Sequence, residues 1–159
     1  MVGLVLVSHS RPLAESLRQL VEQVAAAEVP IAIAAGVGDE RAEFGTDAVE
    51  ISEAILQVMS EDGVLVLMDL GSAVLSAQLA VELLPPEIGK KVRFCAAPMI
   101  EGAIAAAVQV GLGSNLDTVC EEASRALLPK QEQIGAPVPE AVPSDGSIPS
   151  QGISITVKL

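Results

Sequence analysis

The chain is expected to fold as an α/β protein with a doubly wound, parallel four-stranded sheet. Three observations predict this. Four short, almost wholly apolar runs are the right length for strands covered on both faces. Amphipathic stretches alternate with them, as right-handed βαβ crossovers require. Polar junctions follow each of the first three runs, with glycines in the second and third.

The first strand is read over residues 2–7 and stops at Ser8, His9 and Ser10. A helical stripe of Leu13, Leu17, Leu20, Val21 and Val24 follows. The second strand is 31–35, its loop runs from Gly36 to Asp47, and the next stripe is Ala48, Ile51, Ile55, Val58 and Met59. The third strand, 64–68, leads through Asp69, Leu70, Gly71 and Ser72 into a stripe of Leu75, Leu79 and Leu83, stopped by Pro85 and Pro86. After a fourth strand at 92–97 come helices over about 99–110 and 115–128, separated by Gly111 to Ser114, with Ser114 and Asp117 spaced as a capping box.

Beyond this the composition changes. Residues 1–128 read as the globular domain and 129–152 as a proline-rich linker. The last residues, 153–159 (ISITVKL), alternate as a strand does and read as an antiparallel edge strand or as the opening of a truncated further domain.

Composition narrows the function. Half of the 159 residues are apolar but only 1% are aromatic, with no Trp or Tyr, so the core must be aliphatic and no aromatic platform exists for stacking bases. A formal charge of −12 argues against a phosphate backbone and for basic protein partners, so no nucleic-acid partner is expected. Cys95 and Cys120 lack the spacing and histidine company of a zinc site and read as reduced thiols of the core. The apolar run at the start has no basic flank and is too short for a signal peptide or a membrane span, so a cytoplasmic protein without membrane attachment is expected.

The single histidine, His9, falls at the carboxyl end of the first strand, where open α/β sheets bind ligands and do chemistry. In a flavodoxin-like strand order, 2-1-3-4, the first and third strands are neighbours whose loops flank the switch point, which places His9 beside Asp69. A carboxylate accepting the Nδ1 proton would leave Nε2 with a free lone pair. Ser10 and Ser72 stand at helix N-termini, where free N–H groups favour an anion. Gly71 and Gly45 permit close backbone approach, Thr46 adds a hydroxyl, and Arg11 is a candidate phosphate contact. Together these suggest a phosphoryl group carried on His9. Plainer roles compete: Asp69, Ser10, Thr46 and Ser72 as helix caps, and Arg11 as a solvated helix residue. The basic residues Lys90, Lys91 and Arg93 lie at the opposite end of the sheet and read as solvated surface.

Four motifs, LVLVSHS at 4–10, IAIAAG at 31–36, GTDA at 45–48 and VLMDLGSA at 66–73, together resemble the phosphocarrier subunit of the phosphotransferase-system-linked dihydroxyacetone kinase, a mannose-type EIIA domain. The resemblance covers about residues 2–127. It implies the mannose-type EIIA fold, a parallel four-stranded sheet with an added antiparallel edge strand, usually as a homodimer. It implies phosphotransferase chemistry in which His9 accepts a phosphoryl group from HPr, itself charged by enzyme I from phosphoenolpyruvate. The group would pass to ADP held on one partner kinase subunit while another holds dihydroxyacetone, giving dihydroxyacetone phosphate. No metal and no cofactor of the carrier's own is expected. The sequence 153–159 also resembles the first strand of an HPr domain.

Alternatives in the same chemistry are a mannose-type EIIA subunit of a sugar transporter and a regulatory module that only reports phosphorylation. A response-regulator receiver is disfavoured because Ser8 and His9 stand where an acidic metal-binding pair is needed, and a flavin carrier because Phe44 and Phe94 are the only aromatics.

Overall fold

The computed structural model describes residues 1–137; the expected linker beyond Pro137 and the strand at 153–159 lie outside the described residues. Four strands, β1 (Gly3–Ser8), β2 (Ile31–Ala35), β3 (Val64–Met68) and β4 (Val92–Cys95), form one sheet in the order β2-β1-β3-β4. Every pairing is parallel, with Leu4 opposite Ile31 and Leu65 on the two flanks of β1. The fold class and strand order agree with the sequence reading.

Alternation along the two central strands sorts side chains between two cores. Leu4, Leu6, Leu65 and Leu67 pack with α1 (Arg11–Val24), α5 (Met99–Gly111) and α6 (Leu116–Ser124). Val5, Val7, Val64 and Val66 pack on the other face, against α2 (Ala48–Val58) and α3 (Gly71–Glu82). All eight are fully buried, and each contributes about 1.5–3 kcal/mol of hydrophobic stabilisation. At the amino end of β1 the helix α2 comes so close that a Cβ on Gly3 would stand 2.3 Å from the Val58 carbonyl oxygen, which is why a strand residue here is glycine.

Several helix faces differ from the expected stripes. On α1 the buried residues are Ala14, Leu17 and Val21, whereas Leu13, Leu20 and Val24 are exposed. On α3 the expected leucine stripe is reversed: Ala73, Ala77 and Ala80 face the sheet, and Leu75, Leu79 and Leu83 are exposed. Alanine lets this helix approach the Val66 face closely, so the smaller residues take the inner positions. The α2 stripe holds, with Ile51, Ile55 and Val58 buried.

The capping box at Ser114 does not form. Asn115 is the N-cap of α6, its side chain accepting from the Thr118 N–H at 3.0 Å, while Ser114 Oγ donates to Gln109 Oε1. A short helix α4 (Pro86–Gly89) precedes β4, and α7 (Leu128–Ile134) occupies the first residues of the stretch read as linker. Pro129 sits in the first turn of α7, where its missing N–H costs nothing. Lys91 and Arg93 are exposed and pair with Glu61 and Asp117, as surface groups. Among the described residues no helix is long and apolar enough to cross a membrane.

Candidate functional site

The switch point lies between β1 and β3, and the loops leaving these strands carry His9 and Asp69. The two side chains meet: His9 Nδ1 is 2.9 Å from Asp69 Oδ1. The other carboxylate oxygen, Oδ2, accepts from the His9 backbone N–H and from the Ser8 hydroxyl, each at 2.9 Å. Oδ1 also accepts from the Leu70 N–H at 2.8 Å. Four donors therefore converge on one carboxylate. Burial alone would raise the Asp69 pKa, but the hydrogen bonds from the His9 backbone, the His9 ring and Ser8 outweigh it, and the carboxyl lies below its ordinary value.

An ionised Asp69 can only accept, so Nδ1 carries a proton, and in the neutral ring Nε2 is left with its lone pair. The Ser72 hydroxyl donates to that lone pair across 2.9 Å. The His9 side chain is 24% exposed, so Nε2 is oriented by the protein yet reachable from outside.

Asp69 is not the cap of α3. The N-cap of that helix is Leu70, which offers no side-chain hydrogen bond, and Gly71 and Ser72 are its first exposed residues. A Cβ on Gly71 would meet nothing within 4 Å, so the space before this N-terminus is open. Ser10, by contrast, is the N-cap of α1, its Oγ facing the Leu13 N–H, while its own N–H donates to Ser8 Oγ. Ser8, fully buried, links β1 to Asp69 and was not singled out from sequence. A buried serine beside the histidine, ending an otherwise apolar strand, was the signal available.

The second loop approaches from the other flank. The Gly45 N–H donates to the His9 carbonyl at 2.9 Å. Thr46 Oγ1 pairs with Ser76 Oγ at 2.7 Å, tying this loop to α3. Between Gly36 and Gly45 the chain turns through four left-handed residues, Gly36, Gly38, Glu40 and Arg41. For the two that are not glycine this conformation costs about 1–3 kcal/mol each. Ion pairs hold the turn: Arg41 Nη1 binds Asp47 Oδ2 at 2.9 Å and lies 3.4 Å from Glu50 Oε2. The Arg41 bond holds the Asp47 carboxyl below its ordinary value. Arg11 is engaged by Glu50 Oε1 rather than by the histidine. Arg41 and Glu50 were not legible in sequence, because ion pairs between separate loops leave no spacing signal.

Away from this edge, Cys95 is buried and Cys120 half-buried, both as free thiols, and burial followed by the neighbouring Cys95 pushes the Cys120 thiol up. Among the described residues there is no cluster of His, Cys, Asp and Glu able to hold a metal.

Fold and site thus define a parallel α/β protein that presents one imidazole, fixed in a single tautomer, at its topological switch point. The family model EIIA-man, described as PTS system fructose IIA component, matches residues 3–120, and the chain belongs to this mannose-type EIIA family of the phosphotransferase system. It is 49% identical over 146 residues to the PEP-dependent dihydroxyacetone kinase phosphoryl donor subunit DhaM of Escherichia coli K12, covering 91% of this chain but 31% of that protein. The chain therefore spans about a third of the length of that relative. A Listeria innocua protein, PEP-dependent dihydroxyacetone kinase 2, phosphoryl donor subunit DhaM, is 35% identical, with 77% of this chain and 96% of that protein covered. A crystal structure of EF1359, a protein described as of unknown function, superposes with a TM-score of 0.69 at 32% identity, over 78% of this chain and 93% of that one.

Proposed function

We propose that this chain is a phosphohistidine carrier that accepts a phosphoryl group from HPr on His9 Nε2 and delivers it to ADP bound on a partner kinase subunit, for phosphorylation of dihydroxyacetone. The observation that carries the reading is the pair of bonds on the His9 ring, Nδ1–H to Asp69 and Nε2 open to Ser72 at the start of α3. The names of the relatives, phosphoryl donor subunits of dihydroxyacetone kinases, support it.

In the accepting step the Nε2 lone pair attacks phosphorus, an N–P bond forms, and the bond to the donor's histidine breaks with its electron pair returning to the donor. The Nδ1 proton stays in place. Asp69 offsets the positive character the ring gains, and because its carboxylate is already oriented no reorganisation is needed as charge develops. The Ser72 hydroxyl turns from Nε2 to a phosphoryl oxygen, and the open N-terminus of α3, with Gly71 and Ser72, adds N–H groups and a favourable dipole. Delivery reverses these events: the N–P bond breaks, an oxygen of the ADP β-phosphate takes the phosphoryl group, and Nε2 recovers its lone pair. Ser10, Gly45 and Thr46 serve this by fixing the loops around His9.

The carrier domain is assigned to residues 1–128, acting in the cytoplasm, as a homodimer. The test is reconstitution: enzyme I, HPr and phosphoenolpyruvate should label His9, and addition of the ADP-bearing and dihydroxyacetone-bearing subunits should discharge it. A His9→Ala chain that still supports dihydroxyacetone phosphorylation would refute the reading. Labelling without discharge, or discharge only to a transporter IIB protein, would replace the acceptor.

A further inference from the structure

We propose that Glu50 is a positioning residue that holds Arg11 and Arg41 away from the phosphoryl group on His9 and so keeps that group easy to give up; the inference rests on the carrier reading above.

Glu50 lies in the first turn of α2, and its side chain is 14% exposed. One oxygen binds the guanidinium of Arg11, which opens α1 two residues after His9. The other stands 3.4 Å from Arg41 Nη1, in the loop whose Gly45 holds the His9 carbonyl. Helices α1 and α2 pack on opposite faces of the sheet. A single carboxylate thus bridges the first turn of α1 and the β2–α2 loop across the carboxyl edge. The same Arg41 Nη1 donates to Asp47 Oδ2, so two guanidinium groups are matched by two carboxylates. The His9 ring bonds are to Asp69 and Ser72, and neither guanidinium takes part in them.

Glu50 Oε2 is the one buried side-chain N or O atom without a hydrogen-bond partner among the described residues. An under-satisfied buried carboxylate oxygen costs stability, so its retention calls for a reason, of which a functional role is one. Here the purpose follows from what a carrier needs. Guanidinium groups form strong bidentate bonds to phosphate. An arginine free to clamp the phosphoryl group of phosphohistidine would stabilise it and slow its departure. With both arginines bound to carboxylates, the phosphoryl group meets only neutral donors, Ser72 and the N–H groups of α3.

The experiment charges His9 with phosphoramidate, which donates its phosphoryl group to the imidazole and releases ammonia, so no protein partner enters the measurement. After the donor is removed, phosphorus NMR follows hydrolysis, in which water attacks phosphorus, the N–P bond breaks, its electron pair returns to Nε2 and inorganic phosphate leaves. Glu50→Gln keeps the shape but releases Arg11 and leaves Arg41 to Asp47 alone, and the phosphohistidine half-life should lengthen by ~3-fold or more relative to the native chain. Arg11→Gln added to Glu50→Gln should shorten it again, a reversal that a merely structural role for Glu50 would not produce. Should Glu50→Gln fail to fold, Glu50→Asp, one methylene shorter, withdraws the carboxylate and should also lengthen the half-life. An unchanged or shortened half-life in whichever variant folds overturns the inference and leaves the carrier reading intact. Failure of the native chain to take phosphate on His9 overturns both.

Discussion

Asp69 grips His9 twice, one carboxylate oxygen on the ring Nδ1 and the other on the backbone N–H of the same residue, each at 2.9 Å. Ring and main chain are thereby fixed together, so the imidazole can neither flip nor change tautomer without losing contact with its carboxylate. The first prediction concerns this pair. Asp69→Asn should fold, because an amide oxygen can still accept from the Ser8 or His9 donors. Phosphoryl transfer should fall by about 100-fold through a disturbed tautomer and lost charge stabilisation. Rapid-quench transfer from phosphorylated HPr would measure this, and an unchanged rate would reduce Asp69 to a structural role.

Acid sensitivity follows from the same carboxylate. The folded-state pKa of Asp69 is depressed, so its stabilisation is fully present above the ordinary carboxylate value of about 3.9 and is lost as pH falls through the lower folded value. Asp69→Asn lacks this dependence. The melting-temperature gap between the two proteins should therefore shrink on passing from neutral pH to below about pH 4. A gap that stays constant across that range would show that Asp69 gains nothing from its donors in the folded state.

Ser72 contacts Nε2, the atom that takes the phosphoryl group in the proposed reaction. Ser72→Ala removes a donor from an anionic group and should slow transfer by about 10- to 100-fold, the range of a hydrogen bond to a charged partner. The effect should fall on kcat with little change in melting temperature, since the residue is exposed at the start of α3. An equal loss in both would point to a capping role.

Gly3 tests the frame that carries the site. A methyl group there would collide with the Val58 carbonyl, a backbone atom that cannot move aside without shifting α2. Gly3→Ala should cost about 1–3 kcal/mol or more in a denaturant titration. Gly71→Ala meets open space and should change stability far less.

Much of this was legible in the sequence where one rule dominates. Strands buried on both faces must be apolar throughout, so β2 and β3 appear with the bounds read from residues 31–35 and 64–68. The parallel alternation and the switch-point rule then brought His9 to Asp69, residues 60 apart in the chain. Helix faces were less legible. On α3, hydrophobicity ranks Leu75 and Leu79 above Ala73 and Ala77, but close helix-to-sheet approach selects the small residues for the inside. At Ser114 two residues had capping chemistry, and only the backbone path decided that Asn115 would serve. Arg11 was legible as a charge near the site, but its partner Glu50 lies on another helix, and no local pattern joins them.

The most direct measurement is heteronuclear NMR of the His9 ring nitrogens after incubation of the chain with enzyme I, HPr and phosphoenolpyruvate. Because the chain has a single histidine, the signal is unambiguous. Phosphorus coupled to Nε2, with Nδ1 still protonated, is the predicted result. Phosphate on Nδ1, phosphate on a serine, or an unmodified ring would contradict the account.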